Sequence, residues 1–188
     1  PCPFDTSRLD REITVAHAWD ILIAPGRVPP RSVVTIIGGG MVGIETADLL
    51  SLRGVQCTIV EALSTVALGM ARNNRIELME RIEARGTRIM TRARVLNAEG
   101  SQLELEGADG ATVKLEIGSV LVIAIGPAPD QEASRLCEAA GVPYAVVGDA
   151  NKPGDFLSCL RDAWMTALSV EHRFREEKAD SELADIGR

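Results

Sequence analysis

VVTIIGGGMVGIETADLLSLRGVQCTIVE, residues 33–61, reads in a single pass as strand, glycine turn, helix and strand. Val33, Val34, Ile36 and Ile37 form a short, largely β-branched run, the composition of a strand buried on both faces, and hence of a parallel sheet. Gly38, Gly40 and Gly43 follow at G-x-G-x-x-G spacing, where each glycine has its own task. The first permits a tight turn, the second lets backbone approach a pyrophosphate, and the third lets the new helix lie close to the strand. Along that helix Gly43, Ala47, Leu50 and Gly54 put a face of mostly small residues toward the sheet, and Gly54 supplies the stop. Cys57, Ile59 and Val60 make the second strand. It ends on Glu61, a carboxylate about twenty residues past the turn, where an adenosine ribose is gripped in dinucleotide-binding units.

A glycine triplet alone is weak, because such turns are common and many bind nothing; here strand, turn, helix, strand and terminal acid occur in order. The turn Gly38-Gly39-Gly40 opens a helix whose first N–H groups, at Met41, Val42 and Gly43, favour an anionic pyrophosphate together with the helix dipole. The expected ligand is a dinucleotide or adenine nucleotide, and the competing reading is a turn that only shapes the chain. Glu61 suits a ribose 2′-hydroxyl and opposes a 2′-phosphate, so NAD(H) is expected over NADP(H).

Composition narrows the classes. The chain has 188 residues, room for one full domain and part of another at about 150 residues per domain. With 46% hydrophobic and 25% charged residues it fits a soluble globular protein. A net charge of −7 argues against a nucleic-acid surface, and no apolar run approaches the roughly 18 residues of a membrane span. Cys2, Cys57, Cys137 and Cys159 form no C-x-x-C pair, so no metal site is assigned and reduced, cytoplasmic thiols are expected. His17 and His172 lack partners at ligand spacing and read as structural. No nucleophile or acid–base pair stands out, so no catalytic residue is assigned. The opening Pro-Cys-Pro, without methionine, suggests a piece of a longer protein.

Around the core stretch, residues 1–32 read as irregular apart from an amphipathic segment, Ala16 to Ile23, with a proline-rich connector after it. Ala62 to Arg72 reads as a loop at the strand's carboxyl end, which makes Arg72 a candidate phosphate contact. Asn73 or Asn74 is expected to cap a helix carrying Ile76, Met79 and Ile82 up to Gly86, before a short strand Arg88 to Met90. From Val95 the period becomes two: Leu103 and Leu105, then Val113, Leu115 and Ile117, alternate with polar residues, joined at Gly100-Ser101 and Asp109-Gly110. That is an antiparallel meander with one wet face. Val120 to Ile125 returns to a buried strand that closes on Gly126-Pro127.

These residues, with Glu45 after the core turn, VIAIGPAPD at 122–130 and AVVGDANKPG at 145–154, resemble the two-dinucleotide-fold flavoprotein disulfide reductase superfamily. HAWDIL at 17–22 followed by IIGGGMVGIETADLL is similar to the carboxyl-terminal module of old yellow enzyme-type NADH:flavin oxidoreductases, the group of 2,4-dienoyl-CoA reductase, 2-enoate reductase and trimethylamine dehydrogenase. The resemblance spans about residues 13–172. It implies an α/β fold, a Rossmann-like parallel sheet with an inserted three-stranded meander plus a partial FAD-domain segment. It divides the chain into a linker or partial FAD segment (1–32), an NAD(H)-binding domain (33–126), a returning FAD segment (127–172) and a charged tail (173–188) that frays.

It also makes Gly38, Gly40, Gly43 and Glu61 the pyridine-nucleotide site and places Glu45 near the nicotinamide end. Gly126 then marks the crossover to the FAD domain, and Gly148 with Asp149 forms the motif whose aspartate holds the flavin's ribityl and pyrophosphate region. The implied function is an NAD(H)-binding portion of a flavin-dependent oxidoreductase, inactive alone, passing hydride to an FAD carried by the full-length protein. The alternative is a non-catalytic ADP-binding module, as in trimethylamine dehydrogenase-like proteins. The first FAD half and the flavin barrel are expected as missing partners. The helix with Phe156, Leu157, Leu160 and Trp164, lacking its cover, is expected to drive homo-oligomer formation.

Overall fold

The computed structural model describes residues 4–186, with side chains described as far as residue 171. In chain order the elements are β1 (Thr14–His17), α1 (Ala18–Ile23), β2 (Val33–Ile37), α2 (Met41–Leu52), β3 (Gln56–Val60), α3 (Arg72–Ala84) and β4 (Arg88–Met90). The meander follows as β5 (Arg94–Glu99), β6 (Gln102–Glu106) and β7 (Thr112–Glu116), then β8 (Val120–Ile123), α4 (Glu132–Ala140) and α5 (Phe156–Ile186). The chain divides into two units, one of residues up to Gly126 and one from Pro127 onward.

In the first unit five strands form a parallel sheet in the order β1-β8-β2-β3-β4. The β-branched run of β2 sits at its centre, with four of its five residues buried. The chain winds from β2 through β3 to β4 and then returns to β8 on the other side of β2, so the strand order reverses beside β2. In open α/β sheets the ligand crevice lies outside the carboxyl ends of the strands at such a reversal. One core gathers Ile36, Ile44, Ala47, Leu50, Ile59 and Ile82 from the sheet and from α2 and α3. The other gathers Ile37, Val60 and Leu121 with Ala98, Leu103 and Leu105 of the antiparallel β5-β6-β7 sheet. Helices thus cover one face of the parallel sheet and the meander covers the other, which is the Rossmann-like α/β arrangement read from the sequence.

Four expectations change. Thr14–His17, read as irregular, is an edge strand paired in parallel with β8, and the helical segment after it begins at Ala18. Four residues on a sheet edge carry too short a pattern to show period-two alternation. Helix α3 starts at Arg72 with Ala71 as its cap and no side-chain capping bond, so neither Asn73 nor Asn74 caps it. Its buried face is Leu78 and Ile82, four residues apart, while Ile76 is exposed. In β7 Val113 is exposed, so that strand lacks a clean wet and dry side. Finally, α5 continues to Ile186, into the stretch read as a fraying tail; that stretch is rich in Glu, Ala, Arg and Lys, all good helix formers.

Within the second unit Phe156, Leu157 and Trp164 are exposed on α5, as expected. Cys2 and the side chains of His172 and the tail after it lie outside the described residues. No helix among the described residues is long and apolar enough to cross a membrane.

Candidate nucleotide site

The site begins where β2 ends. Gly38 has φ +104° and donates its N–H to the Val60 carbonyl at 2.9 Å, so the turn is pinned to the end of β3. A Cβ there would stand 2.4 Å from the Ala124 carbonyl oxygen. At Gly43, buried in the first turn of α2, a Cβ would stand 1.9 Å from the Gly38 carbonyl oxygen. Both positions therefore require glycine by close backbone approach.

Gly40 is different. It has φ −66°, an ordinary value for any residue, and a Cβ built on it meets nothing within 4 Å. Close packing does not require a glycine at this place, which is exposed and has open space above it. Gly40 is the N-cap of α2 and makes no side-chain capping bond. Its carbonyl accepts the Ile44 N–H at 3.1 Å, which leaves the Met41, Val42 and Gly43 N–H groups without acceptors among the described residues. Unpaired N–H groups at the positive end of a helix dipole, beside an open cradle, fit an anionic pyrophosphate.

Glu61 closes the other side. Its Oε2 accepts the Gly39 N–H at 2.6 Å and its Oε1 accepts the Leu63 N–H at 2.7 Å. The Gly39 carbonyl accepts the Ala67 N–H at 2.7 Å, and a Cβ on Gly39 would stand 2.6 Å from Val66 Cγ1. The loop after β3 thus folds back on the glycine turn. Gly39 carries a steric constraint that the G-x-G-x-x-G pattern leaves unassigned. Val66 and Ala67, both buried, are the contributors that sequence reading missed, since a loop without periodicity gives no sign of which residues turn inward.

The remaining candidates are not gathered here. Glu45, exposed one turn into α2, lines a groove between α2 and α3 with Met41, Asp48, Met70 and Asn74. Arg72 opens α3 and lines a smaller groove with Arg75, Ile76 and Met79, away from the α3 residues Asn74, Glu77, Leu78 and Arg81 that border the α2 groove. Gly126 lies three residues past β8 with φ +86°.

Gly148 and Asp149 belong to the second unit, in a short 3-10 turn ahead of α5. Gly148, at φ +63°, donates its N–H to Asp162 Oδ2 at 2.9 Å. Asp149 Oδ1 accepts the Cys159 thiol and the Gly154 N–H, each at 3.1 Å. The thiol bond first, and the Gly154 N–H with it, hold the Asp149 carboxyl below the usual carboxylate range, while the carboxylate pushes the Cys159 thiol up.

Comparison with known proteins gives the family. The family model for pyridine nucleotide-disulphide oxidoreductases matches residues 5–151. The chain is 30% identical over 157 residues to an NADH oxidase of Thermoanaerobacter brockii, covering 83% of this chain and 24% of that protein. It is 32% identical over 154 residues to a bilirubin reductase of Mediterraneibacter gnavus, covering 81% of this chain and 23% of that protein. Among solved structures, a 2-naphthoyl-CoA reductase superposes with a TM-score of 0.63 at 21% identity, over 81% of this chain and 23% of that one, a likeness of fold. The chain therefore spans about a quarter of the length of the curated relatives it matches. Nicotinamide nucleotide and FAD are the cofactors that the family implies. A match over most of its length places the chain in the pyridine nucleotide-disulphide oxidoreductase family.

Proposed function

We propose that residues 38–43 and Glu61 hold the pyrophosphate and adenosine ribose of NAD(H), and that the chain is the pyridine-nucleotide portion of a longer flavin-dependent oxidoreductase. Within the family we assign it to the carboxyl-terminal module of old yellow enzyme-type reductases, on the order of its motifs. The observation that carries the reading is the open space at Gly40 next to three N–H groups at the start of α2 that have no acceptor among the described residues. When bound, the nicotinamide supplies a hydride and the flavin accepts it. This chain's residues do the holding: the α2 N-terminus neutralises the pyrophosphate, and Glu61, fixed by two backbone N–H groups, turns its remaining lone pairs to the ribose hydroxyls. Asp149, with Oδ1 committed to Gly154 and Cys159, offers Oδ2 to the hydroxyls of the flavin's ribityl chain in the full-length protein.

One observation favours a second reading. Gly38, Gly40, Gly43 and Glu61, on the reading above, would meet only the ADP half of the cofactor, and Glu45, the candidate for the nicotinamide end, lines the α2–α3 groove. A module that holds ADP permanently would use the same residues. Competition calorimetry separates the two. A hydride carrier binds NADH at least about tenfold more tightly than ADP, about 1.4 kcal/mol; equal or tighter binding of ADP supports the structural-nucleotide reading.

A further inference from the structure

Three non-glycine residues among those described have positive φ: Arg31, Ala67 and Arg92. Two of them stand on the loops that border Glu61. For Ala67 the reason is internal, since it is buried and its N–H reaches the Gly39 carbonyl. Arg92, at φ +53°, has its turn held by backbone bonds of the same kind, but unlike Ala67 it is not buried. Its side chain is exposed and has no hydrogen bond or ion pair among the described residues. Only its backbone is fixed: the Arg92 N–H donates to the Leu63 carbonyl and the Ala93 N–H to the Glu61 carbonyl, each at 2.9 Å. A left-handed conformation costs an arginine energy, and strain of this kind collects at ligand sites.

The strand order says what lies there. From β2 through β3 to β4 the carboxyl ends run in one line, with Ile37, Val60 and Met90 as the last paired residues. On the reading above, the pyrophosphate sits at the end of β2 and the ribose at the end of β3. A base continuing in that direction would reach the turn Thr91-Arg92-Ala93 after β4. We propose that Arg92 is the residue that recognises the adenine ring, its planar guanidinium stacking on the face of the base while Glu61 holds the ribose beneath. A guanidinium is suited to this because it is flat, always charged and weakly hydrated.

The inference rests on the nucleotide reading, and its test separates the two. Titrate the wild-type chain, Arg92→Gly, Arg92→Lys and Gly40→Val with NADH, NADPH and ADP by calorimetry, with thermal melts of each. Glycine is at home at φ +53°, so Arg92→Gly melts no lower than wild type. It should bind all three nucleotides roughly five- to tenfold more weakly, by a similar factor for NADH and NADPH. Arg92→Lys, with the charge but not the plane, should lose about as much. Unchanged ADP affinity in Arg92→Gly, while Gly40→Val loses binding, overturns the role of Arg92 alone. A loss confined to NADPH, or full recovery by lysine, overturns stacking in favour of charge. A wild-type chain that binds none of the three overturns the nucleotide reading and this inference with it.

Discussion

The Glu61 carboxylate accepts the Gly39 N–H at 2.6 Å, so the residue that follows β3 is latched to the glycine turn that follows β2. The bond fixes where the carboxylate stands relative to the open space above Gly40. Its second oxygen, on the Leu63 N–H, fixes how the carboxylate is turned. The same group that would bind a ribose thus also shapes the cradle.

Replacing Glu61 tests the two roles separately. Glu61→Ala leaves the Gly39 N–H without its acceptor in a part-buried position, and should cost about 1–3 kcal/mol in urea denaturation. Glu61→Gln keeps an acceptor oxygen and should cost less than half as much. Equal stability of all three proteins would show that the latch contributes nothing.

The charge of Glu61 should appear in cofactor choice. A 2′-phosphate would approach a fixed carboxylate, so NADH should bind about tenfold or more tightly than NADPH, about 1.4 kcal/mol. Glu61→Gln should narrow that gap. Equal dissociation constants in the wild type would remove the argument. Arg72, a candidate phosphate contact, starts α3 on a separate groove, and Arg72→Ala should leave the ratio unchanged.

The three fingerprint glycines should separate by experiment. Gly38→Ala forces a Cβ against the Ala124 carbonyl at a positive φ, and should destabilise by about 2 kcal/mol or more. Gly43→Ala meets the Gly38 carbonyl and should do the same. A Cβ at Gly40 meets nothing, so Gly40→Val loses little beyond glycine's preference at an N-cap and should melt within a few degrees of wild type, about 1 kcal/mol. A Gly40 variant as unstable as the other two would show that the space above it is already filled by the chain.

Acid sensitivity should trace in part to Asp48 on α2. Arg81 of α3 binds both its carboxylate oxygens, at 2.8 and 3.2 Å, and Arg85 adds a bond of 2.7 Å. Arg81, with Arg85, holds the Asp48 carboxyl below the usual carboxylate range. A lowered folded-state pKa means that the stabilisation is complete above the unfolded value, about 4, and fades as pH falls through the lower folded value. Asp48→Asn should therefore be about 1 kcal/mol less stable at pH 7 and nearly equal to wild type at the acid end. The stability difference between the two proteins, followed from pH 7 to 2, checks this; a constant difference contradicts it.

How far the sequence reaches depends on the range of each interaction. The core unit from Val33 to Glu61 is legible because strand composition, glycine spacing and the terminal acid are all local, and the meander because its two-residue period is. The edge strand Thr14–His17 is hidden, since pairing with β8 joins residues about a hundred positions apart and leaves no local trace. Arg92 is hidden for the same reason. It stands beside Glu61 only through the β3–β4 register, whereas Arg72, nearer in sequence, drew attention and lies on another groove. The task of Gly40 is legible from its place in the spacing, whereas the steric demand at Gly39 appears only when the space around each glycine is compared.

The central claim is that the turn at 38–43 is a nucleotide cradle, and a calorimetric titration of NADH into the 188-residue chain tests it most directly, with Gly40→Val run in parallel. The account predicts saturable binding of one NADH per wild-type chain, and no measurable binding to a Gly40→Val protein that melts like the wild type. A wild-type chain that binds no NADH, or a valine variant that binds it with unchanged affinity, would contradict it.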